Sequence, residues 1–152
     1  MGGRARAYID TSVVSALFDD RNPERRKLTD AFFNKGLELD LFLSEVTIAE
    51  LNSTPDPSKR QRMKDMVAGY PVLTVTEEIK GLANDYVAYR AMPRIFLEDA
   101  YHVAIAVLND MDFLLSWNFK HIVRRKTKDV VRMVNSLHGL GQVEILTPAE
   151  LL

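Results

Sequence analysis

The chain has 152 residues, with 20 Lys and Arg against 21 Asp and Glu for a formal net charge of −1, and it contains no cysteine. Disulfides, thiolate nucleophiles and Cys-ligated zinc are thereby excluded, and any hold on a polyanion must come from a local basic patch rather than from bulk charge. A hydrophobic fraction of 47% beside 27% charged residues is the balance of a globular unit large enough to bury a core. No apolar run approaches the ~18 residues of a membrane span. The start, Met1-Gly2-Gly3-Arg4-Ala5-Arg6, lacks the apolar centre of a signal peptide. The expectation is one domain over residues 1–152, with no membrane association and a cytoplasmic location.

Taken in order, Tyr8-Ile9 reads as the end of a short buried strand, and Thr11 to Phe18 as the first helix after it. Asp19-Asp20-Arg21-Asn22-Pro23 breaks that helix, and Pro23 suits the first turn of the next. From Glu24 to Lys35, Leu28, Ala31 and Phe32 recur at helical spacing, and Gly36 ends the helix as a C-cap. Leu39 to Leu43 is the second strand, Ser44 the cap of a helix to about Ser53, and Ser53-Thr54-Pro55-Asp56-Pro57-Ser58 a loop. A charged helix is expected over Lys59 to Ala68, a third strand over Val72 to Val75, and an amphipathic helix over Glu77 to Arg90. After the Met92-Pro93-Arg94 break, Leu97 to Leu108 is the most hydrophobic helix. Phe113 to Ser116 and Val143 to Leu146 read as strands four and five, separated by a helix from about Thr127 to His138. Strands alternating with helices predict an α/β fold: a parallel central sheet of about five strands with helices on both faces, in three layers.

The acids fall at telling places. Asp10 follows strand one, where open α/β sheets gather ligands. Glu50 lies between Ala49 and Leu51 in the helix after strand two. Asp99 opens the most hydrophobic helix, and Asn118 follows strand four. Carboxylates among apolar neighbours are costly to leave unpaired, and several sharing one pocket repel unless a cation holds them. Oxygen donors without Cys or a paired-His motif point to Mg²⁺ or Mn²⁺, which can stabilise phosphoryl charge and activate water. The chemistry so indicated is phosphodiester hydrolysis.

Each acid also has a plain structural reading. Asp10-Thr11-Ser12 suits a helix cap, Asp99 suits the positive end of a helix, and an arginine partner would account for Glu50. Adjacent helical positions point about 100° apart, so Glu98 and Asp99 do not both face one ion. Glu45, Glu98 and Asp112 read as solvated or capping. His102, three residues after Asp99, reads as a packed, hydrogen-bonded histidine outside the site.

Four segments, in this order and spacing, resemble the PIN domains: Tyr8-Ile9-Asp10-Thr11-Ser12-Val13-Val14, Ser44-Glu45-Val46-Thr47-Ile48-Ala49-Glu50-Leu51, Asp99-Ala100-Tyr101-His102-Val103-Ala104-Ile105-Ala106 and Leu115-Ser116-Trp117-Asn118. The likeness spans nearly the whole chain and is nearest to the VapC-like toxins of bacterial and archaeal toxin–antitoxin pairs. It implies a Mg²⁺- or Mn²⁺-dependent endoribonuclease in which Asp10, Glu50 and Asp99 match the metal-holding acids and Asn118 the fourth catalytic position. Thr11 or Ser12 matches the supporting hydroxyl, with Ser116 beside the fourth position. An RNA substrate, an antitoxin that covers the site and a homodimer are implied in the same way. One departure stands out: members often carry Asp-Phe three residues after the fourth position, and this chain has His121-Ile122. Fewer acids imply one firmly held ion and a weak second.

Candidate RNA contacts are Trp117, which suits stacking on a base or a buried anchor, His121, Arg124 and Arg125. The Arg124-Arg125-Lys126-Thr127-Lys128 run also suits a solvated helix start. A PIN fold that binds RNA or protein without cutting is the rival function. Phosphatase or receiver chemistry is more distant: Ser12 stands where a dehalogenase-like phosphatase needs a second aspartate, and no lysine follows strand four before Lys120.

Overall fold

The computed structural model describes residues 3–152; Met1 and Gly2, part of the segment read for a leader, lie outside them. Five parallel strands, β1 (Ala5–Ile9), β2 (Leu39–Ser44), β3 (Val72–Leu73), β4 (Phe113–Leu115) and β5 (Glu144–Leu146), form one sheet in the order β3-β2-β1-β4-β5. The chain builds outward from β1 to β3, then crosses back to lay β4 on the other flank of β1. The reversal makes the gap between the carboxyl ends of β1 and β4 the topological switch point, where such sheets open a crevice.

β1 is central because its side chains serve both faces. Tyr8 joins one core with α5 (Glu77–Ala88), α6 (Leu97–Leu108) and α7 (Arg125–Leu137). Ala7 and Ile9 join the other, with α1 (Thr11–Ala16), α2 (Pro23–Asn34), α3 (Glu45–Asn52) and α4 (Pro57–Val67). Alternation along one strand thus yields the three layers that the sequence predicts. Among the described residues, no helix is long and apolar enough to cross a membrane.

Most boundaries fall where the residues indicate. Pro23 opens α2, Gly36 takes the left-handed conformation just past its end (φ +71°), and α6 covers Leu97 to Leu108. Four differences have identifiable causes. The third strand stops at Leu73, because Glu45 Oε1 takes the Val75 N–H at 2.6 Å. Helix α4 begins two residues early, at Pro57, since Asp56 caps it through Ser58 and Lys59 N–H. Helix α7 begins at Arg125 rather than Thr127, with Arg124 extended before it. The break at Pro93 continues into a 3₁₀ turn, Arg94–Phe96, that leads directly into α6.

The helices of the first core are tied by a polar bond as well as by packing. Tyr86 on α5 is fully buried and donates its hydroxyl to Asn135 Oδ1 on α7. Burial, with the neighbouring Asp85 charge adding to it, pushes the phenol above its ordinary value. Removing the hydroxyl leaves a buried amide oxygen without its donor. Tyr86→Phe is expected to cost about 1–3 kcal/mol, read as a lower urea midpoint with an unchanged m-value.

Candidate active site

Three strand ends converge at the switch point, and each delivers a polar side chain. Asp10 follows β1 and caps α1, its Oδ1 accepting from Val13 N–H at 3.3 Å and Ser12 Oγ at 2.5 Å. Ser116 follows β4 and donates to Asp10 Oδ2 at 2.5 Å. The Asp10 N–H meets Leu115 O at 3.2 Å, so backbone and side chain stitch β1 to β4 at the same level. Ser12 Oγ also accepts the Trp117 N–H at 2.8 Å, and Ser116 Oγ that of Asn118 at 2.9 Å. The cap reading of Asp10 holds, and the same carboxylate lies at the switch point between β1 and β4. Asp10 is 3% exposed, and burial raises its pKa above the carboxylate norm against the opposing pull of His102 and its hydroxyl donors.

Glu50 reaches the edge from α3, which Ser44 caps at the end of β2. Its Oε1 accepts from Thr11 Oγ1 at 2.7 Å and lies 2.7 Å from His102 Nε2. No arginine answers it; the partner is a histidine on α6. His102 is 2% exposed, and its Nδ1 lies 2.6 Å from the Tyr8 hydroxyl, which meets Ser44 Oγ at 2.7 Å. Burial alone lowers the basicity of His102, but Tyr8, Glu50 and Asp10 together carry its pKa well above the imidazole norm. Burial likewise works to raise Glu50, yet the His102 bond and charge, with Thr11, leave its pKa lowered. A histidine of raised basicity 2.7 Å from a carboxylate of lowered pKa makes an ion-pair contact, in which Nε2 donates to Glu50 Oε1.

Asp99, in the first turn of α6, faces the loop after β4. Its Oδ2 lies 3.2 Å from His121 Nδ1, with the Asn118 side chain near enough to help hold its pKa down. Burial raises its pKa, Glu50 adds to the rise, and His102, His121 and Asn118 oppose it. Asn118 Oδ1 also takes the His121 N–H at 2.9 Å, which folds the loop back so that the ring reaches Asp99. Phe96 stacks on the other face of that ring, with centroids 3.9 Å apart.

Of the residues singled out in the sequence, Asp10, Glu50, Asp99, Asn118, Thr11, Ser12 and Ser116 all gather at this edge. Glu98 is exposed and lines, with Glu45, Glu50 and Tyr101, a groove of about 450 Å³ beside the site, while Asp99 turns toward the loop. For four residues the structure narrows the reading. Trp117 is a buried anchor: its Nε1 donates to Thr29 Oγ1 at 2.9 Å on α2, and it is not available to a base. Arg125 extends into solvent, its side chain 95% exposed and 3.7 Å from Asp129. Arg124 is instead pinned by bonds to Thr127 Oγ1 and Ala91 O. His102 is packed and hydrogen-bonded as expected, but its partner is Glu50, so it belongs to the site. Its position three residues after Asp99 was the available signal, though spacing alone does not name a partner 52 residues away.

The donor set of Asp10, Glu50 and Asp99 is all oxygen, which suits Mg²⁺ or Mn²⁺. Two of these carboxylates have raised pKa values because burial strips their solvent, and a cation relieves that penalty. Among the described residues, no three Asp, Glu or His side chains already form a metal-holding group. The acids are met by hydroxyls, by the Val13 N–H and by two imidazoles. In donor chemistry the site fits a hard divalent ion, and Glu50 and Asp99 would exchange imidazole contacts for it.

A five-stranded parallel sheet in this order, with acids from β1, α3 and α6 at one edge, defines a PIN-like α/β protein. The PIN domain profile matches residues 7–120, most of the chain, and the chain belongs to the PIN-domain family. Among solved structures, the fold is similar to that of VapC20 from Mycobacterium tuberculosis, described as a sarcin-ricin loop cleaving toxin. The TM-score is 0.62 at 14% identity, over 91% of this chain and 98% of that one. It is also similar to VapBC-5 of the same organism, a toxin–antitoxin system, with TM-score 0.57 and 18% identity over 94% and 98% of the two chains. A third similar fold is VapBC2 of Rickettsia felis, solved with a DNA fragment from its promoter, with TM-score 0.54 and 9% identity over 92% and 96%. No curated protein matches the chain at a significant level.

The charge pattern sets a sign for stability against pH. His102 has a raised pKa in the fold, so its contribution is complete below the ordinary imidazole value near 6.5 and is lost as pH rises through the folded value. The stability gap between the wild type and His102→Gln, from urea titrations in EDTA, is therefore expected to be largest at mildly acidic pH and to narrow in alkali. Asp10, whose folded pKa is also raised, runs in the same sense with pH, because its buried carboxyl is favoured neutral and ionisation costs stability as pH rises above the ordinary value of 3.8. Asp10→Asn is expected to unfold at a higher temperature than the wild type at pH 7 without metal.

Proposed function

We propose that the chain is a metal-dependent endoribonuclease, the toxin of a toxin–antitoxin pair. The observation that carries this reading is Asp10, buried and clamped by Ser12 and Ser116 at the switch point, with Glu50 and Asp99 on the same edge of a PIN-family fold. A carboxylate left at a raised pKa by burial is a cost that a structural cap does not require. Function supplies a reason to keep it.

Asp10, Asp99 and Glu50 are the groups that would hold a Mg²⁺ or Mn²⁺, which when bound activates water and offsets charge on the phosphoryl oxygens. The chain's own residues do the rest. Ser12 and Ser116 fix both oxygens of Asp10, and Thr11 and His102 fix Glu50. Asn118, through its Oδ1, holds the loop whose His121 ring meets Asp99. His121 stands where relatives carry a further acid, and its contact with Asp99 supports one firmly held ion rather than two. Isothermal titration in the absence of RNA is expected to give a single tight Mg²⁺ site.

A soluble cytoplasmic enzyme working with RNA, an antitoxin that covers the acidic edge and a homodimeric state complete the proposal. They draw on the family and on VapBC-5 and VapBC2, which are toxin–antitoxin systems. A second reading, a PIN unit that binds without cutting, is favoured by one feature: Glu50 is already ion-paired with His102. The two separate cleanly. Cleavage of RNA with Mg²⁺, abolished by EDTA and reduced to background by Asp10→Asn or Asp99→Asn with the fold intact, is the expected result. Binding of RNA unaffected by EDTA and without cleavage is the outcome of the second.

A further inference from the structure

Beside the acidic edge, across His121, lies a groove of about 510 Å³ with the opposite character. Arg90, Arg94, Lys120, His121, Arg124 and Lys126 line it, with Val87, Met92 and Pro93 as its apolar floor, and it has no carboxylate in its lining. Among the described residues, none of these arginines and lysines pairs with an acid. Arg4, Arg21, Arg26, Lys80, Arg125 and Arg132 do pair, while cations such as Arg6, Lys35 and Lys59 do not, so what sets the groove apart is the clustering of its cations with no acid among them. Arg124 is held rigidly at the groove wall by bonds from Nε to Thr127 Oγ1 (2.9 Å) and from Nη2 to Ala91 O (2.8 Å).

Arg90 supplies an independent observation. Helix α5 ends with Arg90 N–H on Val87 O and Ala91 N–H on Tyr86 O, the paired bonds of a Schellman turn. The residue at its left-handed position is Arg90, with φ +66°. The same turn ends α7 with Gly139 and α6 with Asp110, residue types that tolerate this conformation far better. An arginine held where glycine is easier marks a side chain kept for what it reaches. It reaches the groove.

We propose that this groove is the track for the phosphodiester backbone of an unpaired RNA strand, which passes over His121 to the acids. RNA as the polyanion rests on the ribonuclease reading; the groove as a polyanion site does not. Several unpaired cations without an acid among them suit a row of phosphates. His121 touches both the groove and Asp99, so a strand lying in the groove leads its next phosphodiester to the catalytic edge. The Phe96 ring on His121 is 41% exposed and flanked by Ile95, 85% exposed. It offers a stacking face that an unpaired base can use and a duplex cannot.

The test is binding of a fluorescein-labelled mixed-sequence RNA oligonucleotide to the full chain in EDTA, where metal-dependent cleavage cannot occur. The groove variant combines Arg90→Gly, Arg94→Ala and Lys126→Ala. Its control, Arg21→Ala, Lys80→Ala and Arg132→Ala, removes the same charge from acid-paired positions. The groove variant is expected to lose about a hundredfold in affinity near 0.1 M salt, with a salt slope shallower by about 2. Its thermal midpoint is expected to hold, because glycine relieves residue 90. The control should bind as the wild type does, and annealing the complementary strand should weaken wild-type binding. Unchanged affinity in the groove variant, an equal loss in the control, or equal affinity for the duplex would overturn the proposal; the first leaves the groove to an acidic protein partner. Loss of binding in the groove variant, alongside a wild-type chain that binds RNA but proves unable to cleave it, would sink the ribonuclease reading and leave the groove standing.

Discussion

A carboxylate buried to 3% exposure survives only if its lone pairs are answered, and the answers to Asp10 define the acidic edge. Val13 N–H and Ser12 come from the first turn of α1; Ser116 comes from the end of β4, more than a hundred residues later. The same two hydroxyls then accept the N–H groups of Trp117 and Asn118. One carboxylate thus fixes the junction of the two central strands, the start of the first helix and the path of the loop that carries Asn118 and His121. The fold supplies the crevice, and Asp10 determines which backbone lines it.

The second constraint is charge. Three acids at one edge would repel, and the chain meets them with two imidazoles of unlike character. His102 is buried in the core, bonded on one side to Glu50 and on the other to Tyr8, and through Tyr8 to the cap of α3. The strands β1 and β2 and the helices α3 and α6 are joined through that ring. His121 sits at the mouth, held by its backbone to Asn118 and by stacking on Phe96, and meets Asp99 from the solvent side. One is part of the core; the other can be moved at the cost of a partly exposed contact.

Local signals made the architecture legible. Alternating strands and helices, Pro23 and Gly36 at helix ends, and the apolar run from Leu97 to Leu108 each depend on near neighbours in sequence. The acids were legible for a related reason, since a carboxylate between Ala49 and Leu51 needs an explanation wherever it folds. What the residues did not reveal were pairings set only by the assembled sheet. Glu50 finds His102 rather than an arginine, Trp117 finds Thr29 on α2, and Glu45 ends β3 by taking the Val75 N–H. The basic run after β4 was visible, but not that Arg124 and Lys126 would face Arg90 and Arg94 across a groove while Arg125 turned away.

The split between acid and base around α6 has a physical rationale. A polyanion is repelled by an exposed cluster of carboxylates and needs favourable contacts elsewhere to approach it. Groups that hold the strand while leaving the acids free serve this best at a short distance and on one side, so that the chain is aligned before it meets the edge. The basic groove lies across His121 from Asp99, whereas Glu45 and Glu98 line the groove on the side of Glu50. Cations on one side of His121 and carboxylates on the other thus order the charges along one line, the arrangement that the proposed strand path would use. A near-neutral chain acquires an electrostatic polarity from the way its charges are sorted, with no excess of either sign.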